Sequence, residues 1–256
     1  MASRLSALAA ALPGPVVHRC AAWSFRLRAE QRLLLLDELV DPTRPAIDAG
    51  AWWGPWTYWL SRRCPEVWSF EPNPRMAATL ARVARSNVRL HSVALSDHAG
   101  TEQLWVPDNV GPDALATLQA EHAPGSARPV AVEVRRLDDF EIPAAGFLKI
   151  DVESHEPAML RGATDTIRRC RPTVLIEVEQ RFHELSVQTI FDVFLDEGYS
   201  GWFRRERQWV PLDDFDVERD QFQQLDDPKS TSYINNFVFS PGSAAPSAYT
   251  RAKARP

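Results

Sequence analysis

AIDAGAWWGPWT, residues 46–57, is the stretch that decides the fold. A short apolar strand ends at Asp48, glycines follow at Gly50 and Gly54, and a helix is predicted to begin directly afterwards. Glycines here let the backbone turn sharply and let a ligand approach it closely. The pattern DxGxxxG differs from the GxGxxG that holds a pyrophosphate. It favours a ligand without a pyrophosphate over a plain strand-to-helix turn.

Apolar strands alternate with helices along the rest of the chain. Helices are predicted over residues 75–87, 157–170 and 187–198. Strands are predicted at 46–51, 67–72, 88–96, 101–107, 130–137, 147–153, 173–179, 199–205 and 236–240. This alternation predicts an α/β fold with a doubly wound, mostly parallel seven-stranded sheet, closed by an antiparallel edge strand.

Composition shifts divide the chain. Residues 1–44 form a predicted helical extension, 45–240 one α/β domain, and 241–256 a small, Pro-rich, disordered tail. Within the domain, residues 108–129 are a polar insertion with Gly and Pro, which is typical of a lid or substrate loop.

Charge and cysteine usage limit the partners. The net charge of −5 argues against a nucleic-acid partner, and no apolar stretch is long enough to cross a membrane. The three cysteines are scattered without a CxxC pair, which suits a reducing cytosol. We therefore predict a cytoplasmic protein without nucleic-acid or membrane partners, and we leave open whether it is a homo-oligomer.

Glu71 follows the second predicted strand, in the motif FEP at residues 70–72. An acidic residue at this strand end can accept hydrogen bonds from both hydroxyls of a ribose. The alternative is a solvated carboxylate without a ligand. Together with the glycine turn, Glu71 favours a nucleoside cofactor.

The segment KIDVESHEP, residues 149–157, places acidic side chains and a histidine at the end of a central strand. Doubly wound sheets bind ligands at this edge. Pro157 suits a first helical turn, so the positive end of the helix dipole would keep His155 neutral and able to act as a general base. Alternatively, Glu156 merely caps this helix.

Two further carboxylates, Glu177 and Glu179, end the next strand in LIEVE, residues 175–179, and share one face. Adjacent strand ends would bring Glu177 near Asp151 and Glu153. Such a cluster could activate a hydroxyl, hold a divalent metal or grip sugar hydroxyls, or it could be an ordinary strand end.

The ordered motifs IDAGAxxGxxT, FEPNP, VALSD, FLKIDVExHE and RPxVLIEVE resemble the FkbM family of methyltransferases over about residues 45–240. The resemblance implies a class I, Rossmann-like O-methyltransferase that uses S-adenosyl-L-methionine. It also implies that the acceptor is a sugar or another small molecule with a hydroxyl, such as a natural product. Two features depart from the family pattern: Ser154 replaces the usual glycine, and Trp52 and Trp53 replace small or polar residues.

The resemblance also assigns cofactor-binding residues. Those that would line the methionine end are Asp48, Gly50 and Gly54. Glu71 would hold the ribose, and Asp151 would border the transferred methyl group. The residues near the adenine would be Asn73, Ala94 and Ser96.

Together these patterns favour methyl transfer, with His155 or Glu153 as the base and with Glu177 and Glu179 orienting the acceptor. A divalent metal is left open and has no assigned ligands. An NAD-dependent oxidoreductase would need a tighter glycine triplet, and a non-catalytic cofactor-binding subunit is a second alternative. A tryptophan cluster beside the site could stack on sugar rings or belong to the core or a subunit interface; its members are Trp52, Trp53, Trp56 and Trp59.

Overall fold

The computed structural model describes residues 14–28, 31–108, 116–123, 125–227 and 230–246. The predictions for residues 1–13, for 109–115 of the insertion and for 247–256 of the tail lie outside the described residues. No helix in the described ranges is long and apolar enough to cross a membrane.

Within the described residues, the main sheet has eight strands in the order β10-β9-β11-β8-β7-β1-β2-β3. Their bounds are β1 Ala46–Ala49, β2 Val67–Phe70, β3 Val88–His91, β7 Phe147–Ile150, β8 Thr173–Glu177, β9 Ser200–Arg205, β10 Gln208–Pro211 and β11 Asn236–Ser240. The neighbouring pairs from β3 to β8 are parallel, whereas β11 runs antiparallel to both β8 and β9. The predicted α/β class and mostly parallel sheet are confirmed.

The eighth strand, β10, comes from a hairpin that the sequence pattern does not indicate. Glu206 and Arg207 join β9 to β10, and both have positive φ angles, of 48° and 70°. A two-residue turn of this kind is usually made by Asn-Gly or Asp-Gly, so its sequence signal is missing here.

A second, three-stranded sheet has the order β4-β6-β5. It consists of β4 Ala94–Leu95, β5 Gly100–Pro107 and β6 Ala127–Arg135. The segments 101–107 and 130–137 thus contribute strands as predicted, but these strands form a sheet of their own. The single strand predicted at 88–96 is wrong, because the chain leaves the main sheet after β3 and pairs with β6 at β4.

The α-helices are α1 Gly14–Arg28, α2 Leu36–Leu39, α3 Pro55–Leu60, α4 Pro74–Ala81, α5 Glu156–Arg161, α6 Thr164–Cys170, α7 Gln188–Leu195 and α8 Val217–Asp220. The helix predicted at 157–170 is divided into α5 and α6 around Gly162. A Cβ atom at Gly162 would overlap the backbone carbonyl of Ser96, so this glycine is a point of close packing.

Two apolar layers cover the main sheet, as expected for a doubly wound fold. Ile47 and Leu148 belong to the layer that includes residues of α5, α6 and α7. Ala46 and Phe147, which point the other way, belong to the layer that includes residues of α1, α2 and α3. The carboxyl ends of the parallel strands lie between these layers, and the candidate site is located there.

Candidate active site

A cavity of about 220 Å³ opens at the carboxyl ends of the parallel strands. It brings together most of the residues that the sequence singles out. Those on its wall are Gly50, Glu71, Asn73, Ala94, Asp151, Glu153, His155 and Glu177. The sequence-predicted residues that are not on its wall are Asp48, Gly54, Ser96 and Glu179.

Gly50 fixes the turn after β1 by close packing. Its φ angle is 77°, and a Cβ atom here would overlap the carbonyl oxygen of Asp151. Its N–H donates to the Phe70 carbonyl at 3.0 Å, and its own carbonyl accepts from Lys149 Nζ at 2.6 Å. The glycine is therefore required by the neighbouring backbone, in addition to any close approach by a ligand.

Asp48 and Gly54 support this turn from behind the cavity wall. Asp48 is fully buried and accepts a hydrogen bond of 2.6 Å from the Thr57 hydroxyl. Gly54 has a φ angle of 94°, and a Cβ atom there would overlap the Leu80 side chain. Both residues act on the cavity through the shape of the loop between β1 and α3.

Lys149 is the main site residue that the sequence patterns did not single out. Its side chain is buried, with Nζ 3.2 Å from Asp151 Oδ2 and 3.5 Å from Asp48 Oδ1. Burial alone would lower the pKa of Lys149, but Asp151 and Asp48 outweigh this effect and raise it, so the ammonium stays charged. The sequence does indicate this residue, because a lysine inside the apolar strand FLKI would be buried, and a buried charge needs partners.

Glu71 is a fixed carboxylate rather than a solvated strand end. It is only 6% exposed, and it accepts backbone N–H bonds from Trp52 at 2.6 Å and from Asn73 at 2.8 Å, one on each oxygen. Burial raises the pKa of Glu71 to about 7, although these two N–H groups oppose the shift. Each oxygen keeps a second lone pair for a donor in the cavity.

An apolar slot lies next to Glu71. It is lined by Met76, Val93, Ala94 and Leu95. Asn73 caps α4 by accepting a hydrogen bond from the N–H of Arg75 at 3.1 Å, so it also has a structural duty. A fixed carboxylate beside an apolar slot fits the ribose and base of a nucleoside.

The same cavity wall carries an acidic group, formed by Asp151, Glu153 and Glu177. Burial raises the pKa of Glu153 well above its ordinary value, and the negative charges of Asp151 and Glu177 raise it further. The Glu177 carboxylate accepts hydrogen bonds from the side-chain amides of Asn235 at 2.8 Å and of Asn236 at 3.0 Å. Two amide donors therefore fix Glu177, and the short motif Asn235–Asn236 was not recognised in the sequence.

Glu179 lies beyond the cavity wall and supports Glu177 indirectly. It accepts a hydrogen bond of 2.6 Å from the Tyr233 hydroxyl and pairs with Arg181 at 2.6 Å. Its second oxygen accepts from the Asn235 amide at 3.3 Å. Glu179 thus helps to orient the amide that holds Glu177.

One described part of the insertion, residues 116–123, is fastened to the loop after β7. Glu153 and Ser154 both have positive φ angles, of 51° and 70°, which favour glycine. The Thr117 hydroxyl donates to the Glu153 carbonyl at 2.8 Å, and His122 Nδ1 lies 2.9 Å from the Ser154 hydroxyl. Ser154 therefore adopts the backbone conformation of a glycine while it contacts the insertion.

His155 is buried, and both of its ring nitrogens have partners. Nε2 lies 3.0 Å from the Ser96 hydroxyl, and Nδ1 lies 3.1 Å from the amide nitrogen of Gln119. Because that amide nitrogen only donates, Nδ1 accepts from Gln119 and Nε2 carries the proton towards Ser96. Burial is the main effect that lowers the pKa of His155, rather than the helix dipole that the sequence suggested.

The Methyltransferase FkbM domain model matches residues 48–200, which is more than half of the chain. The chain belongs to the FkbM methyltransferase family. The resemblance inferred from the sequence motifs is thereby confirmed, and no curated protein matches the chain. Family membership favours methyl transfer over the oxidoreductase alternative.

Solved structures are similar to this FkbM-family protein in fold. The methyltransferase FkbM of Methylobacillus flagellatus has a TM-score of 0.50 and 17% identity, over 92% of this chain and 57% of that one. This chain therefore spans little more than half the length of that protein. The precorrin-6y C5,15-methyltransferase of Geobacter metallireducens has a TM-score of 0.43 and 14% identity, over 82% of this chain and 87% of that one.

The sequence of this FkbM-family protein left two questions open: whether it binds a divalent metal, and whether its tryptophan cluster belongs to the site or to the core. Among the described residues, no group of three or more His, Cys, Asp or Glu side chains could hold a metal ion. Trp56 and Trp59 are core residues, only 4% and 5% exposed, whereas Trp52 lies on the cavity wall. The predicted tryptophan cluster is thus divided between the core and the cavity.

Proposed function

We propose that this protein transfers the methyl group of S-adenosyl-L-methionine to a hydroxyl of a small acceptor, such as a sugar or a hydroxylated natural product. One observation carries the proposal: the fixed carboxylate Glu71 and the acidic side chains of Asp151, Glu153 and Glu177 line the same cavity. Membership of the FkbM family supports the type of reaction.

The residues of the cavity fit the cofactor. Glu71 would accept the two ribose hydroxyls on its free lone pairs, and the apolar slot beside it would hold the adenine. Gly50 and Asp151 would lie at the methionine end. When bound, S-adenosylmethionine supplies a methyl group on a sulfonium, and S-adenosylhomocysteine remains after transfer.

Glu153 is the better candidate for the general base. An alcohol is a weak nucleophile at neutral pH, so a base that removes its proton contributes about 10²–10⁴ in rate. The raised pKa of Glu153 makes its carboxylate a stronger base than an ordinary glutamate. His155 is engaged by Ser96 and Gln119 through both nitrogens, so we assign it a positioning role between the insertion and the end of β4.

The proton and the methyl group are exchanged at one oxygen of the acceptor. Glu153 would accept the proton of the acceptor hydroxyl as that oxygen takes the methyl group that the bound cofactor supplies, and S-adenosylhomocysteine would be the other product. Glu177, held by Asn235 and Asn236, would accept a hydrogen bond from a second hydroxyl and so orient the acceptor. Correct alignment of the reacting groups can contribute about 7–11 kcal/mol.

The charges of the cavity support an uncharged acceptor. Three acidic side chains, those of Asp151, Glu153 and Glu177, line the cavity. Among the described residues of the wall and those in contact with them here, the buried ammonium of Lys149 is the cation that balances this group. A phosphorylated or carboxylated acceptor would meet like charge beside these carboxylates. Leu104 and Leu118 add apolar surface on which the face of a sugar ring could pack.

The proposal is tested in two steps. Calorimetric titration with S-adenosylhomocysteine and with NAD should show binding of the first compound only. Methyl-labelled S-adenosylmethionine should then yield a labelled methyl ether with at least one member of a panel of neutral sugars and hydroxylated natural products. Binding of NAD instead would support the oxidoreductase alternative. Tight S-adenosylhomocysteine binding without turnover on the panel would support a non-catalytic subunit.

Glu71→Ala should weaken binding of S-adenosylhomocysteine roughly 10- to 150-fold, because hydrogen bonds to a charged group are worth about 1.5–3 kcal/mol. It should also lower stability somewhat, since the N–H groups of Trp52 and Asn73 lose their acceptor. Titration calorimetry on the folded variant measures the first effect. Glu66→Ala, just before the amino end of the same strand, is the matched control and should bind normally.

The affinity of the wild type for S-adenosylhomocysteine should rise with pH up to about 7 and then level off. The pKa of Glu71 is raised to about 7 in the free protein, and a ribose hydroxyl donates better to the ionised carboxylate. Binding therefore releases a proton below pH 7 and none above it. Titrations from about pH 5.5 to 8.5 check this. An affinity that falls as the pH is raised towards 7 would contradict the ribose assignment.

A further inference from the structure

The N-terminal helix α1 reaches the cavity from outside the region that the family model matches, residues 48–200. His18 Nε2 lies 3.0 Å from the Trp53 carbonyl, and Trp23 packs edge-on against Trp59 with ring centroids 4.7 Å apart. Phe25, one turn of helix away from Ala22, lies on the cavity wall. The helix is thus docked on α3 and on the loop before it, and the side chain of Phe25 lines the cavity.

Three aromatic rings connect α1 to the loop after β1. The centroids of Phe25 and Trp52 are 5.9 Å apart, those of Phe25 and Trp53 are 5.6 Å apart, and those of Trp52 and Trp53 are 5.6 Å apart. All three pairs are edge-to-face, an arrangement worth about 0.5–1.5 kcal/mol per pair beyond the burial of area. Phe25 therefore braces both tryptophans.

Trp52 needs such a brace because its backbone is strained. Its φ angle is 52°, in the left-handed region that bulky side chains avoid. Conformations of this kind persist only where the surroundings hold them. The N–H of the same residue donates to Glu71 Oε2 at 2.6 Å, so the conformation of Trp52 also fixes the carboxylate of Glu71.

We propose that α1 is part of the ligand site: Phe25 forms a wall against the adenosyl ligand and, by bracing Trp52, positions Glu71. This inference rests on the proposed function, because it takes an S-adenosyl compound as the ligand of the cavity. The contact of Phe25 with Trp52 and ligand binding are then coupled. By linkage, each strengthens the other by the same factor.

The rival explanation is that α1 only covers the apolar surface of α3. Ala22 and Trp59 do belong to one apolar core cluster, against which Phe25 packs. Under that explanation, loss of Phe25 would lower stability and leave ligand affinity unchanged. The two explanations therefore predict different ligand affinities for a folded variant that lacks Phe25.

The test compares two substitutions on one helix. Phe25→Ala should weaken S-adenosylhomocysteine binding about 10-fold, within the range of about 5- to 150-fold that is usual for coupled sites. Trp23→Ala is the matched control, because Trp23 is half exposed, packs on Trp59 and is not on the cavity wall. It should change the affinity much less. Phe25→Tyr keeps the ring and should restore most of the affinity.

Hydrogen exchange supplies a readout independent of turnover. S-adenosylhomocysteine should slow amide exchange within residues 14–28 of the wild type, and this protection should shrink in Phe25→Ala. If the wild type binds the ligand but Phe25→Ala binds equally well and exchange in α1 does not change, the inference is wrong while the proposed function stands. If the wild type does not bind S-adenosylhomocysteine, the proposed function itself fails.

Discussion

Glu153→Gln should lower kcat by about 10²–10⁴ while binding of S-adenosylhomocysteine stays nearly unchanged. The glutamine keeps the size of the side chain but cannot accept the hydroxyl proton. In the wild type the rate should rise with pH through the raised pKa of Glu153, because the ionised carboxylate is the active form. The variant should lose this rise. Label transfer to an acceptor found in the panel, measured across pH, checks both effects.

His155→Ala is the comparison that decides between the two candidate bases. His155 joins Ser96 to Gln119 and has a buried, neutral ring, so its loss should disturb the insertion and mainly affect acceptor KM. A far larger fall in kcat for His155→Ala than for Glu153→Gln would reverse the assignment. Wild-type rates in both variants would mean that alignment alone drives the reaction.

Gly50→Ala should lower the free energy of unfolding by about 3–5 kcal/mol, a large part of the roughly 5–15 kcal/mol that stabilises a domain. Two effects add: the positive φ angle of 77° disfavours any Cβ atom, and this Cβ would overlap the Asp151 carbonyl, which is backbone and cannot rotate away. Denaturant unfolding of the purified variant measures the loss, and failure to accumulate as folded protein is the extreme form of the same result.

Gly198→Ala separates the two effects. Gly198 has nearly the same φ angle, 73°, but a Cβ atom there would meet nothing within 4 Å. Its substitution should therefore cost only about 1–2 kcal/mol, the cost of the left-handed backbone alone. Equal losses in the two variants would show that the loop after β7 moves aside and that Gly50 is not a point of obligatory close packing.

Most of the strands and helices, and the family, could be predicted because local patterns specify them. The apolar strand that contains Asp48, the glycine turn and the acidic residues Glu71 and Asp151 just after their strands all lie where the sequence places them. Period-2 and helical spacing, together with turn residues, are properties of neighbouring positions, so a single sequence reveals them.

The missed features depend on packing between distant segments. Lys149 on β7 pairs with Asp48 on the neighbouring strand β1, Phe25 on α1 reaches Trp52 in the loop after β1, and Asn235 holds Glu177 across an antiparallel pair. The division of 88–96 into two strands depends on which partner strand is available. No local pattern encodes such pairings. The partners of the two His155 nitrogens, Ser96 and Gln119, also come from distant segments.

The small sheet of β4, β5 and β6 has a consequence for how acceptor choice can diverge. It lies in the chain between β3 and β7, and its strands pair with one another, so its length does not set the register of the main sheet. It nevertheless contributes Leu104 to the cavity wall, and the segment that follows β5 contributes Leu118. Insertions and deletions between β5 and β6 can therefore reshape the part of the cavity proposed for the acceptor, while descendants inherit Glu71 and the glycine turn unaltered.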